Sequence, residues 1–306
     1  MPALGLGTWK SAPGEVGAAV EEAIRIGYRH IDCAAIYANE AEIGEALARC
    51  FAAGVVARED LWITSKLWND CHAPEHVGPA LEQTLARLGL DYLDLYLVHW
   101  PVALRHGKLL PEQPEDFVAL SEIPLAATWA AMEDVAADGL ARNIGVSNFS
   151  ARKLEELIDD ARVLPAVDQV ELHPYLQQPA LLDVCDRLGV VLTAYSPLGS
   201  GDRPARLREP DEPRLLDDPG IAAIAAAHGV SPAQVLIAWA IARGTAVIPK
   251  SVDPGRLAQN FAAAELRLSK ADMAAIAELD RARRYVSGSF WAMPGGPYTL
   301  ASLWDE

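Results

Sequence analysis

Four side chains of complementary chemistry stand where short apolar runs end: Asp32, Tyr37, Lys66 and His99. The runs are His30–Asp32, Leu61–Lys66 and Leu93–His99, and Tyr37 follows the first of them. A buried ammonium group is costly unless a carboxylate accompanies it, which makes Asp32 the natural partner of Lys66. The paired cation favours phenolate in a neighbouring phenol, so Lys66 is expected to lower the Tyr37 pKa from its ordinary ~10. A phenol tuned in this way can give a proton to a developing alkoxide. His99 can hydrogen-bond the same carbonyl oxygen and orient it. None of the four supplies a hydride, so a nicotinamide is implied. Taken singly, each has a plainer reading: Asp32 as a turn residue, Tyr37 as packing, Lys66 as a surface lysine, His99 as a satisfied core histidine. The functional reading rests on the four meeting in one place.

A meeting of that kind needs strands whose C-terminal ends face one side. Apolar runs occur at Leu4–Leu6, His30–Asp32, Leu61–Lys66, Leu93–His99, Arg142–Val146, Ala166–Glu171, Val190–Tyr195 and Ala246–Pro249. They are nearly continuous in apolarity, as strands buried on both faces must be. Amphipathic patterns fall between and after them, at Val16–Ile26, Glu40–Ala52, Glu75–Leu88, Leu125–Ala137, Ala151–Ile158, Pro179–Leu188, Ser231–Ala242 and Pro254–Phe261. Ser150, Ser231-Pro232 and Asp253-Pro254 supply helix starts, and Gly27, Gly89, Gly139 and Gly189 supply stops. Eight strand–helix alternations predict a (β/α)8 barrel, a TIM barrel, as one domain over residues 1–306. The competing doubly wound sheet would want a GxGxxG turn after its first strand, and GLGTWK is not one. Pro101–Pro124, Ser196–Pro219 and the tail from Arg281 to Glu306 are long segments, expected to form loops over the barrel mouth.

Composition narrows the partners. The 306 residues carry a net charge of −16, and this field repels nucleic acid and anionic membranes. Cys33, Cys50, Cys71 and Cys185 form no CxxC pair and match no zinc spacing, so they read as reduced thiols in a cytoplasmic protein. The N-terminus has no signal-peptide pattern, and no stretch has the length of a membrane span. His30 and His173 lie beside strands without an HxH pair or a carboxylate cluster, so no metal is expected.

The segments GLGTWKS, GYRHIDCAAIYANEAEIG, LWITSKLW, LDYLDLYLVHWP, IGVSNF, PAVDQVELHPY, VVLTAYSPLGS and VIPKSV occur in this order from Leu4 onward. With them the chain resembles the aldo-keto reductases, specifically the aldose and aldehyde reductase branch, from Leu4 to about Leu279. The resemblance implies a catalytic tetrad in which Tyr37 is the general acid, Lys66 and Asp32 tune it, and His99 orients the substrate. It also implies NADPH as hydride donor in an ordered mechanism. Ser147, Asn148 and Gln169 look like ligands of the nicotinamide carboxamide, with Tyr195 as its stacking face. Leu198, Ser200 and Asp202 would lie in a loop over the pyrophosphate, with Asp202 reaching Lys10 or Lys250. Lys250, Ser251 and Arg256 flank a helix start, a ready phosphate site, which in the family holds the 2′-phosphate. Gln259 and Asn260 would face the adenine. Gln259 stands where close relatives commonly have Glu. Asp253 lies near the proposed phosphate and would repel it, unless its charge is used as a helix cap. The chain begins without the N-terminal hairpin that often plugs the bottom of such barrels.

Trp9 and Trp100 are expected to wall the substrate pocket, with Tyr37 and His99 at its base. Trp68, Trp291 and Trp304 either close the pocket or, for the last two, pin the tail to the barrel. Aromatic walls suit apolar or aromatic aldehydes. The expected function is NADPH-dependent reduction of small aldehydes or ketones by a monomer. The alternatives are a keto-sugar reductase on the same fold, a non-catalytic NADP(H)-binding redox sensor, and a Schiff-base enzyme using Lys66. A redox sensor would lack part of the tetrad. A Schiff-base enzyme would need Lys66 neutral, which Asp32 opposes.

Overall fold

The computed structural model describes residues 1–204, 208–209 and 211–306. Eight parallel strands build the central sheet: β1 (Leu6–Gly7), β2 (His30–Asp32), β3 (Trp62–Leu67), β4 (Leu95–Val98), β7 (Ile144–Ser147), β8 (Val167–Glu171), β9 (Val191–Tyr195) and β10 (Ala246–Val247), in that spatial order. The sheet closes on itself. Gly5 N donates to Val247 O at 2.9 Å, Val247 N to Ala3 O at 2.7 Å and Gly7 N to Pro249 O at 3.1 Å. A side chain at position 7 could not be accommodated at this seam, because its Cβ would lie 2.7 Å from Ile248 O. Closure excludes the doubly wound alternative, which needs two free edges.

Helices α1 (Val16–Ile26), α2 (Glu40–Ala52), α3 (Pro74–Leu88), α4 (Leu125–Ala137), α5 (Ala151–Asp159), α6 (Pro179–Leu188), α8 (Pro232–Ala242) and α9 (Pro254–Ala262) surround the strands. These are the eight helices expected, each within a residue of its expected bounds. The caps are also where the sequence places them. Ser150 accepts from Lys153 N, Ser231 from Gln234 N and Asp253 from Arg256 N. Gly189 ends α6 in the left-handed region, at φ 71°.

The long segments hold more structure than expected. Pro101–Pro124 contains a small antiparallel hairpin of β5 (Ala103–Leu104) and β6 (Phe117–Val118). Three further helices were not foreseen: α7 (Pro219–His228), α10 (Lys270–Ala277) and α11 (Leu300–Trp304). In α7 the run PGIAAIAAAH has no amphipathic stripe, so periodicity is blind to it. Its start is nonetheless written in Asp218-Pro219, since the Asp218 carboxylate accepts from Gly220 N and Ile221 N. Residues 205–207 and 210, within the expected loop Ser196–Pro219, lie outside the described residues. Among the described residues no single helix is long and apolar enough to cross a membrane. The α7–α8 pair meets that test only jointly, across a 91° bend.

The main core lies between strands and helices and runs from Leu4 to Tyr285. A second apolar cluster forms over the mouth from Trp68, Trp100, Val102, Leu104, Phe117, Val286, Trp291, Tyr298, Leu303 and Trp304. The hairpin and the tail therefore pack on each other as a separate apolar layer above the strand ends. Tyr298 joins them, donating to Val118 O at 2.6 Å while accepting from Ala103 N at 2.9 Å.

Candidate active site

Asp32 is the last residue of β2, Lys66 the penultimate residue of β3, and His99 follows β4 directly. Tyr37 ends a short 3-10 turn, Ala35–Tyr37, that carries the chain out of β2. Parallel pairing of β2, β3 and β4 thus brings residues dozens of positions apart to one end of the barrel. Lys66 Nζ lies 2.5 Å from Asp32 Oδ1, 2.8 Å from Cys33 O and 3.4 Å from the Tyr37 hydroxyl. The Tyr37 and His99 rings meet edge-on with centroids 5.9 Å apart. The four groups are gathered in one place, as the sequence reading requires.

The electrostatics differ from expectation in one respect. Burial dominates at Tyr37 and pushes its pKa up to about 12, with Lys66 as the opposing pull. The phenol is therefore not tuned toward neutrality; desolvation of the phenolate outweighs the nearby cation. Burial works most strongly against the Lys66 charge, but Asp32, with help from Tyr37 and Cys33, raises the lysine above its ordinary value. His99 is held well below the ordinary imidazole range by burial, and further by Lys66 and His72. Its ring is neutral, and its buried Nδ1 has no hydrogen-bond partner.

The residues expected to hold a nicotinamide lie next to this group. Ser147 and Gln169 face each other across β7 and β8, and Ser147 Oγ donates to Gln169 O at 2.7 Å. Asn148 takes a left-handed conformation at φ 63°. Its Nδ2 donates to His99 O at 2.8 Å, and its Oδ1 accepts from the Tyr195 hydroxyl at 2.7 Å. Gln169 Nε2 donates to Asp32 Oδ2 at 2.7 Å. This last bond, which the sequence did not suggest, ties the amide set directly to the Asp32–Lys66 ion pair.

Further out, Asp202 reaches both of its expected partners, Lys10 at 2.6 Å and Lys250 at 3.9 Å. Ser200 Oγ accepts from Lys10 Nζ at 3.0 Å, and Leu198 is half-buried against the core. At the start of α9, Ser251 and Asn260 are buried, while Arg256 and Gln259 are exposed. Asp253 does cap the helix, accepting from Arg256 N at 2.8 Å, with Arg256 Nε 3.8 Å away. The Asp253 carboxylate thus serves as the helix cap and stands beside the Arg256 guanidinium.

Trp9 stacks on Tyr37, with centroids 6.3 Å apart, and Trp68 meets His99 edge-on at 5.1 Å. Trp100 packs against both Trp291 and Trp304 at 5.9 Å. Trp291 is 1% exposed, between Trp68 and Trp100. Trp304 donates to Ser287 O at 2.8 Å and lies under the Arg284 guanidinium, both within the tail, and its ring meets the barrel side at Trp100. His173 and His30 have structural partners, Glu171 for the first and Pro2 O with Thr64 Oγ1 for the second.

One positioning group went unnoticed in the sequence. The Glu171 carboxylate, at the end of β8, accepts from Tyr285 N at 2.7 Å, Val286 N at 2.8 Å and His173 Nε2 at 2.8 Å. It fastens the tail to the barrel. The available signal was its position on the strand, two residues beyond Gln169 and hence on the same face.

The arrangement can be set beside known proteins. The model of the Aldo/keto reductase family matches residues 3–281. The chain belongs to the aldo/keto reductase family. It is 60% identical over 306 residues to Aldo/keto reductase slr0942 of Synechocystis sp., covering all of this chain and 94% of that protein. It is 48% identical over 288 residues to human Aldo-keto reductase family 1 member A1, covering 94% of this chain and 88% of the relative. Its fold is similar to that of the aldose reductase from Schistosoma japonicum, with a TM-score of 0.86 and 41% identity over 94% of this chain and 91% of that one. Membership makes this aldo/keto reductase an oxidoreductase of the carbonyl-reducing kind, in a family that uses NAD(P)H. The aldose and aldehyde reductase branch suggested by the sequence motifs agrees with both relatives.

Proposed function

We propose that this chain is an NADPH-dependent reductase of small aldehydes and ketones, with Tyr37 as the proton donor. The observation that carries the reading is Lys66 Nζ placed between the Asp32 carboxylate and the Tyr37 hydroxyl, at 2.5 and 3.4 Å. The donor set around it fits a dinucleotide phosphate. Amides of Asn148 and Gln169 and the hydroxyl of Ser147 suit a carboxamide, and Tyr195 suits a flat ring. Lys10 and Lys250, bridged by Asp202, suit a pyrophosphate. Lys250, Ser251 and Arg256 at the start of α9 suit a 2′-phosphate, and Gln259 with Asn260 the adenine. NADPH would supply the hydride.

The remaining chemistry belongs to the chain. Neutral His99 can donate a hydrogen bond to the carbonyl oxygen and hold it near Tyr37. With its pKa near 12, Tyr37 keeps its proton at neutral pH. An alkoxide is a stronger base than a phenolate, so transfer from Tyr37 to the forming alkoxide runs downhill. Lys66 then stabilises the phenolate left behind, and Asp32 keeps Lys66 charged. Trp9, Trp68 and Trp100 line the approach, with Trp291 behind them, and favour apolar or aromatic carbonyls.

We read residues 1–306 as one domain, since the main core spans Leu4 to Tyr285 and Glu171 ties the tail, with its own apolar layer, to the barrel. A monomer in the cytoplasm, acting on small molecules rather than nucleic acid or membranes, accords with the net charge of −16 and the four free cysteines. The test is NADPH oxidation by the purified protein across aromatic aldehydes, sugars and ketones. Tyr37→Phe should nearly abolish turnover and leave NADPH affinity close to wild type. Normal turnover by that variant would remove Tyr37 from its role.

A further inference from the structure

Beyond the mouth, three potential metal ligands from distant parts of the sequence come together. Asp70 and Cys71 lie in the 3-10 turn that follows β3, and His106 lies in the loop after β5. One carboxylate oxygen, the thiol sulfur and one ring nitrogen all lie within 4.8 Å of one another, the only such group among the described residues. We propose that Asp70, Cys71 and His106 form a binding site for a borderline-soft divalent cation, Zn²⁺ foremost.

The donor chemistry supports this choice. A thiolate with an imidazole selects zinc-like ions over Mg²⁺ or Ca²⁺, which want oxygen alone. Tetrahedral zinc with bonds of about 2.0–2.3 Å sets its ligands roughly 3.5 Å apart. Cys71 Sγ already lies 3.5 Å from Asp70 Oδ1. The surroundings also orient the ligands. His106 Nδ1 is 3.1 Å from Asp70 O. A carbonyl only accepts, so Nδ1 carries the proton of the neutral ring, and the lone pair lies on Nε2. Asp70 Oδ2 accepts from Gly107 N at 3.1 Å, which fixes the carboxylate plane. Outer hydrogen bonds of this kind hold metal ligands in place. His76, in α3, stacks on His106 with centroids 3.7 Å apart and planes 16° apart, and offers a further imidazole beside the site. Coordination forms a metal–sulfur bond, breaks the Cys71 S–H bond and releases that proton to solvent.

The site joins two segments that border the candidate pocket. Trp68, two residues before Asp70, donates its indole N–H to Leu109 O at 2.7 Å and packs against His99. A bound cation would lock the loop bearing His106 to the turn bearing Cys71, next to the entrance that Trp68 lines. The site stands apart from Tyr37 and Lys66 and does not depend on their assignment.

The test uses the full chain, free of any histidine tag, titrated with Co²⁺ as a spectroscopic probe and with Zn²⁺ in calorimetry. We expect one equivalent to bind and the Co²⁺ complex to show a thiolate-to-metal charge-transfer band. Cys71→Ser should abolish the band, and Cys71→Ser and His106→Asn should each weaken Zn²⁺ binding at least ~10-fold, the usual reach of a lost ligand or its support. His228→Asn, at an exposed histidine on α7, should bind as wild type. Melting curves of each variant without metal check that folding is retained. Binding without a sulfur band, or equal Zn²⁺ affinity in wild type, Cys71→Ser and His106→Asn, would overturn the site.

Discussion

Replacing Lys66 with Met isolates the central electrostatic claim, because methionine fills similar volume without the charge. Lys66 Nζ lies 3.4 Å from the Tyr37 oxygen. At an effective dielectric of about 20, a unit charge at the 3.4 Å separation is worth roughly 5 kcal/mol to a phenolate, or 3–4 pKa units. With half to all of the phenolate charge developed at the barrier, proton transfer should slow by roughly 10²- to 10⁴-fold. The same change strips Asp32 of its cation and leaves it buried with Gln169 as its remaining side-chain donor. Breaking a buried pair in this way costs about 3–5 kcal/mol of stability. A second variant, Asp32→Asn with Lys66→Met, removes both charges and should regain most of that stability while staying slow. The assay is single-turnover stopped flow at saturating NADPH with an aromatic aldehyde, alongside urea melts. Tyr37→Phe in the Lys66→Met background should lose little more than the worse single variant, since the two residues act as a unit. A Lys66→Met rate within about fivefold of wild type, less than ~1 kcal/mol of barrier, would refute the reasoning.

Three further outcomes follow from other parts of the structure. Arg256→Ala should weaken NADPH by about tenfold or more while sparing NADH, the loss of one charge-assisted contact to the 2′-phosphate; equal losses measured by fluorescence titration would remove that site. Glu171→Gln keeps one acceptor oxygen where the carboxylate now serves two backbone N–H groups and His173; it should cost about 1–3 kcal/mol, quicken proteolysis of the tail and raise KM more than it lowers kcat. His30 is buried and its pKa is depressed to about 4, chiefly by burial. Between roughly pH 6.5 and 4 the unfolded chain binds a proton there that the folded chain refuses, so stability falls as pH drops through that window, by about 3 kcal/mol at most. In His30→Gln the melting temperature should depend less on pH across the same window, and an unchanged slope would count against the burial argument.

The sequence alone determined the barrel, because its signals are local. Nearly continuous apolar runs, helix stripes between them, and caps at Ser150, Ser231 and Asp253 each involve residues close in the chain. It also supplied the four groups of the candidate site, since a parallel barrel sends every strand's C-terminal end to one face. Other features depended on contacts between residues far apart, which no window of sequence contains. The balance at Tyr37 is one: both burial and a cation act on the phenol, and only the packing shows that burial prevails. The Gln169–Asp32 bond and the Glu171 clamp on the tail span 137 and more than 110 residues. The α7 helix lacked a stripe because half of its residues are alanine, and the hairpin within Pro101–Pro124 is held by Tyr298 from the distant tail. Tertiary structure decided these matters because desolvation and side-chain pairing are properties of a place in space, whereas helix and strand formation is already written in neighbouring residues.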